Sequence, residues 1–218
     1  FAGSAFAVAL LMGAALPLTG AHAVTINNGS FENGSYTDGG SGFMTLNAGA
    51  TNLTGWTISS GSIDWINTYW QPADGSYSLD MSGNGPGTIS QTLNGLTSGQ
   101  SYKVSFDLAG NPDGGQGTKQ LTVAAVGSQN YFFTVTGSDS HTPMGWTLES
   151  FVFTAAGPSE LISFASDVST PYGPALDNVS IAATPLPATW IMLLGGLLGF
   201  GGLAYRRRGV HAPALTAA

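Results

Sequence analysis

The stretch that decides the fold is Ser101-Tyr102-Lys103-Val104-Ser105-Phe106-Asp107-Leu108-Ala109. Tyr102, Val104, Phe106 and Leu108 alternate with Lys103, Ser105 and Asp107. Successive side chains on a strand point to opposite faces, so this is a strand with one face buried. Working outward, apolar runs of the same kind occupy 24–27, 56–59, 63–67, 77–81 and 88–93 before it, and 119–126, 131–136, 147–154, 161–165 and 176–182 after it. Turn-forming clusters separate them, among them Asp38-Gly39-Gly40-Ser41-Gly42, Ser82-Gly83-Asn84-Gly85-Pro86-Gly87 and Asn111-Pro112-Asp113-Gly114-Gly115. No long window has a period of 3.6, and no repeat is visible at the spacing of solenoids or propellers. Around ten short strands in one domain predict an all-β, antiparallel β-sandwich of jelly-roll type. An up-and-down barrel is the main rival, and an immunoglobulin-type sandwich suits this length less well.

Composition agrees. Only 8% of the 218 residues are charged while 43% are hydrophobic, and there are 32 glycines. Hydrophobicity at that level disfavours disorder, and the helix formers of a bundle are scarce. With no cysteine, disulfides, thiolate metal sites and Cys nucleophiles are excluded. All twelve acidic residues lie between 24 and 184, together with only Lys103 and Lys119, a net charge of −10. A domain so negative repels phosphate backbones, so nucleic acid is excluded as a partner.

The two ends read as targeting segments. Residues 1–23 form an apolar run ending in Ala21-His22-Ala23, the pattern of a secretory signal peptide cut after Ala23, with its basic start missing. A buried first helix is the alternative. At the other end, Thr184-Pro185-Leu186-Pro187-Ala188-Thr189 leads into the apolar run 190–205 and then Arg206-Arg207-Arg208. Sixteen helical residues span about 24 Å, short of the hydrocarbon core of about 30 Å. Trp190 and snorkelling arginines close that gap, so 190–205 is expected to be a transmembrane helix. The arginines face the cytoplasm with the tail 209–218, and the domain 24–183 faces outward.

This tail resembles the PEP-CTERM sorting signal of Gram-negative bacteria, in its Pro-Leu-Pro-Ala-Thr variant, over 184–208. The resemblance implies an exosortase that recognises Pro185, Leu186 and Pro187 and removes the tail on the way to the cell surface or extracellular matrix. It further implies passage across the inner membrane and only transient anchoring. A plain C-terminal anchor is the alternative.

Within the domain, Asn28-Gly29-Ser30-Phe31-Glu32, Gly55-Trp56, Ile63-Asp64-Trp65-Ile66, Tyr69-Trp70-Gln71, Ala73-Asp74-Gly75-Ser76-Tyr77-Ser78-Leu79-Asp80, Ile89-Ser90-Gln91 and Ala175-Leu176-Asp177-Asn178-Val179 follow in order. Their order and spacing resemble the DUF642 type of galactose-binding-like jelly roll, whose bacterial members often carry assorted C-terminal anchors ("choice-of-anchor C"). The resemblance implies association with cell-wall or extracellular polysaccharide and a non-catalytic role. Similar carbohydrate-binding modules hold a structural calcium ion with an early Glu, a loop oxygen and a late Asp. That implies Glu32, Asp74 and Asp177 as ligands, since calcium takes six to eight hard oxygens. Backbone capping by the same carboxylates is the alternative.

Sugars stack their C–H faces on aromatic rings and bond planar polar groups beside them. Tyr69, Trp70 and Gln71, with Tyr172 as a second candidate, are therefore the expected sugar-binding residues. Trp56 and Trp146, each after a glycine, are expected in the core. Catalysis is not expected. His141 stands in the turn Ser138-Asp139-Ser140-His141-Thr142 and reads as a solvated loop residue. Among the acids, Asp64, between Ile63 and Trp65, is singled out as the one whose apolar flanks are expected to raise a carboxyl pKa. A structural biofilm-matrix role is the alternative to sugar binding, and a small glycosidase comes third.

Overall fold

The computed structural model describes residues 24–185. Eleven strands follow one another: β1 (Phe43–Asn47), β2 (Thr57–Ser60), β3 (Ser62–Ile66), β4 (Ser78–Asp80), β5 (Thr88–Asn94), β6 (Ser101–Gly110), β7 (Gly117–Ala125), β8 (Gly127–Val135), β9 (Thr147–Thr154), β10 (Ser159–Ser166) and β11 (Pro174–Ala183). They form a six-stranded sheet, β1-β3-β4-β11-β6-β9, and a five-stranded sheet, β2-β5-β10-β7-β8. Every strand pairing is antiparallel. The expected all-β sandwich is the observed fold.

The alternation on β6 does what its period requires. Tyr102, Val104, Phe106 and Leu108 are buried between the sheets while Lys103 is exposed. Phe106 meets Phe164 of β10 edge-to-face at 5.5 Å between ring centroids, joining the two sheets at the centre of the core. Trp56 packs on Phe164 from the side and on Phe31.

Two local expectations fail for identifiable reasons. Residues 24–27 are not a strand. The Gln91 side chain takes the place of a strand neighbour there: Asn27 N donates to Gln91 Oε1 at 2.7 Å, and Gln91 Nε2 donates to Asn27 O at 2.8 Å. Conversely, β1 is a strand without a sequence signal, because Phe43, Met44 and Leu46 put apolar side chains on both faces.

The motif 28–32 is held by the core. The indoles of Trp56 and Trp65 donate to Asn28 O and Phe31 O at 2.9 and 3.0 Å. Phe31 is fully buried at a positive φ of 61°, a strained setting for a bulky residue that the surrounding contacts enforce. Gly29 lets β11 approach: Val179 N donates to Gly29 O at 2.8 Å, and a Cβ on Gly29 would stand 1.9 Å from Val179 O.

Among the described residues, no helix is long and apolar enough to cross a membrane. The segments read as leader (1–23) and transmembrane anchor (190–205) lie outside the described residues, as do Leu186, Pro187, Arg206, Arg207 and Arg208. Pro185 is an exposed residue at the end of the described chain.

Candidate functional site

The outer face of the six-stranded sheet carries the site. Strand register places Thr45, Asp64, Asp80, Ala175 and Ala109 in one row across β1, β3, β4, β11 and β6. Asp64 thus sits directly opposite Asp80, and in the next row Asp107 sits opposite Asp177. Like charges at opposed positions destabilise a sheet. This face therefore bears a cost that ordinary strand packing would avoid.

The chain partly offsets that cost with donors. Asn111 Nδ2, Ser82 N and Gly173 N donate to the Asp80 carboxylate at 2.7, 2.9 and 3.1 Å. Thr45 Oγ1 donates to Asp64 Oδ1. Burial still prevails: Asp80, only 1% exposed, is pushed up to about 8, and Asp64 is raised by burial as well. The apolar flanks of Asp64 had pointed to this shift.

Above the carboxylates lies a cavity of about 320 Å³. Phe43, Tyr69, Trp70 and Tyr172 supply its aromatic walls, and Asn84 and Asn111 its amides. Tyr172 is 40% exposed at the mouth. Tyr69 is fixed from behind, its hydroxyl donating to Asp113 Oδ2, an interaction that with burial pushes its pKa up to about 12. It therefore stays a neutral donor. His141 Nε2 also pairs with Asp113, at 3.0 Å, and its ring lies 4.6 Å from that of Tyr69. His141 is a loop residue with 40% of its side chain exposed, as expected, and through Asp113 and Tyr69 it also braces the rim of the cavity.

Beside the cavity, the loop 73–77 crosses the sheet under two carboxylates. Ser76 N and Tyr77 N each donate to Glu32 Oε1 at 2.8 Å. Ala73 N and Asp74 N donate to Asp177 Oδ2 at 2.8 and 2.9 Å, and Asn178 N donates to Oδ1. Gly75, at φ +61°, makes the turn possible, since a Cβ there would stand 2.4 Å from Glu32 Oε1. Asp177 is fully buried, and burial pushes it up to about 7 against the pull of those amides.

The same geometry tests the calcium expectation. Glu32 and Asp177 do converge on one loop, but both Asp177 oxygens and Glu32 Oε1 accept amide protons, which take the directions a cation would use. Asp74 is exposed and contributes its main-chain N–H. Among the described residues, no three His, Cys, Asp or Glu side chains gather as a metal site. As arranged, Glu32 and Asp177 form a carboxylate clamp on backbone amides.

A family model described as "Protein of unknown function (DUF642)" matches residues 24–182. The chain belongs to the DUF642 family. Halomucin of Haloquadratum walsbyi is 36% identical over 165 residues, which cover 74% of this chain and 2% of halomucin. The DUF642 chain thus corresponds to a small piece of that relative. Among solved structures, a family 16 carbohydrate-binding module has a TM-score of 0.46 at 16% identity, covering 72% of this chain and 98% of the module. A family 61 module solved with β-1,4-galactotriose has 0.44 at 13% identity, covering 72% and 96%. Both likenesses are too loose to carry a site or a function.

In the DUF642 domain, the expected sugar residues divide. Tyr69, Trp70 and Tyr172 line one cavity. Trp70 is only 3% exposed and donates to Ser78 Oγ at 2.8 Å, so it forms a wall, not a free stacking face. Gln71 faces a neighbouring groove with Trp146 and Asp107. Trp146, expected in the core, is half-buried at that groove, its indole donating to Gln71 O at 3.0 Å. Trp56 is in the core as expected. The residues missed were Asp80, Asn84, Asn111 and Phe43. Asp80 carried a visible signal, since Leu79 and Met81 flank it just as Ile63 and Trp65 flank Asp64.

Proposed function

We propose that this DUF642 protein is exported to the cell surface or extracellular matrix and binds polysaccharide there without catalysis. The observation that carries the reading is the cavity on the outer sheet face, with rings at its walls and paired carboxylates and amides at its base. Such a mixture suits a pyranose, whose C–H faces stack while its hydroxyls bond planar groups. Export is supported by the leader-like 1–23 and the arginine-stopped tail. In this proposal an exosortase acts on Pro185–Pro187 while 190–205 holds the chain in the inner membrane of a Gram-negative bacterium. No metal is part of it, because the amide clamp already fixes the loop.

Pull-down on a polysaccharide panel tests the reading. Tyr172→Ala is expected to lower retention on the bound glycan at least tenfold with the melting temperature unchanged. Retention that is equal for wild type and variant would defeat it. A matrix role without specific sugar binding is favoured by one feature, the exposed Leu148 and Val152 on the edge strand β9. It requires self-association in sedimentation that Val152→Lys abolishes.

A further inference from the structure

The chemistry at the base of the cavity says more than that a sugar fits. The lining includes two carboxylates, Asp64 and Asp80, and no Lys, Arg or His. Asp64, which lines the cavity, accepts one bond, from Thr45 through Oδ1, and its second oxygen accepts none from the described residues. The rings of Phe43, Tyr69 and Tyr172 stand around this oxygen-rich base. Aromatic faces and carboxylates share one preference in ligands: both attract a cation. Resting on the polysaccharide reading above, we infer that the cavity selects a sugar unit bearing a free ammonium group, a de-N-acetylated hexosamine, over neutral, N-acetylated and acidic sugars.

Three further observations agree. The domain around the cavity has a net charge of −10, which repels uronates and sulfate or phosphate esters. Both carboxyls are held toward their neutral forms by burial, as expected of groups whose counter-charge arrives with a ligand. Among the described residues, the basic side chain that feels the charge of Asp80 is Lys119. Lys119 is buried between the sheets, with Gly110 and Gly114 packed on it, and does not line the cavity. Of the other titratable groups at the rim, Tyr69, Asp113 and His141 are bonded to one another, and Tyr172 stands at the mouth. An ammonium ion in the cavity favours the ionised form of both carboxyls, and for Asp80, pushed up to about 8, this couples binding to proton release.

Isothermal titration of the intact chain with glucosamine hexamer, N-acetylglucosamine hexamer and galacturonate hexamer decides the matter. Repeating it in two buffers of different ionisation enthalpy counts the protons. The expected result is at least tenfold tighter binding of the glucosamine hexamer, with proton release at pH 7 and weakening in salt. Asp64→Asn, nearly isosteric, is expected to bring the three oligomers within about threefold of one another. Equal or tighter binding of the N-acetylated hexamer, or wild-type binding without proton release, overturns the ammonium inference and leaves the polysaccharide reading standing. Binding of none of the panel's glycans overturns both. Spermidine competing as well as the hexamer overturns the sugar part, because the site would then take any alkylammonium.

Discussion

The two outer faces of the sandwich are built from opposite materials. On the five-stranded sheet, the outward-facing strand positions include Thr118, Thr122, Asn130, Phe132, Thr134, Leu161 and Ser163, and hold no ionisable side chain. Its strand-to-strand contacts are neutral, such as Thr118 to Thr134 and Thr122 to Asn130, and the carboxylate that reaches it, Asp167, is held at its rim by Gln120 and Thr122. The six-stranded face instead carries Asp64, Asp80, Asp107 and Asp177 in two opposed pairs, with loops folded over them. One face is an ordinary solvated surface. The other accepts desolvated carboxyls, whose burial costs free energy that their hydrogen bonds only partly offset. A sheet retains such groups where something other than stability selects them, which is why the cavity and not the flat face is the place to look for a ligand.

The sharpest way to break this contrast is to remove a carboxylate from each face. Asp80→Ala leaves Asn111 and two amides without a partner and is expected to cost about 3 kcal/mol or more in urea unfolding. Asp167→Ala, at the rim of the flat face, is expected to cost less than about 1 kcal/mol. Similar costs for both would erase the distinction.

The clamp comes next. Asp177→Ala frees the amides of Ala73, Asp74 and Asn178 and is expected to cost about 2–3 kcal/mol, with faster amide exchange confined to 73–78. Exchange that rises everywhere would mean that the clamp serves the whole fold and not this loop.

The pH dependence follows from Asp80 and Asp177, whose folded values of about 8 and about 7 exceed the ordinary carboxyl value of 3.8. Between those limits the folded chain keeps protons that the unfolded chain has released, so stability falls as pH climbs from about 4 to 8. The melting temperature is expected to be higher at pH 5 than at pH 8, and Asp80→Asn to flatten that slope. A melting temperature that rises with pH would refute the account. The smallest effect is a null one: EDTA and added calcium are each expected to leave the melting temperature within about one degree, because amides already occupy the clamp. A rise of several degrees with calcium would reinstate the ion.

Much of the fold was legible because period-2 alternation is a local signal. It marked β6 from Tyr102 to Leu108, and it marked β9 at 147–154. Where burial falls on both faces, as at Phe43 and Met44 in β1, there is no alternation to read. Where a side chain stands in for a strand, as Gln91 does beside Asn27, alternation misleads. The site was legible only in part for a different reason. Tyr69 and Tyr172 could be picked by type, but Asp64 and Asp80 become a pair only through the β3–β4 register. Asn111 joins them from a turn 31 residues beyond Asp80. His141 looked isolated because its partner Asp113 is 28 residues away in sequence.

The clamp grips residues 73–77 by main-chain hydrogens alone, while the side chains of Ala73, Asp74 and Ser76 are exposed. Substitutions at these three positions can therefore redraw the rim beside the cavity without loosening its anchorage. The frame is fixed and its lettering interchangeable, so under the proposed function the preference for one ligand over another changes at little risk to the body that carries it.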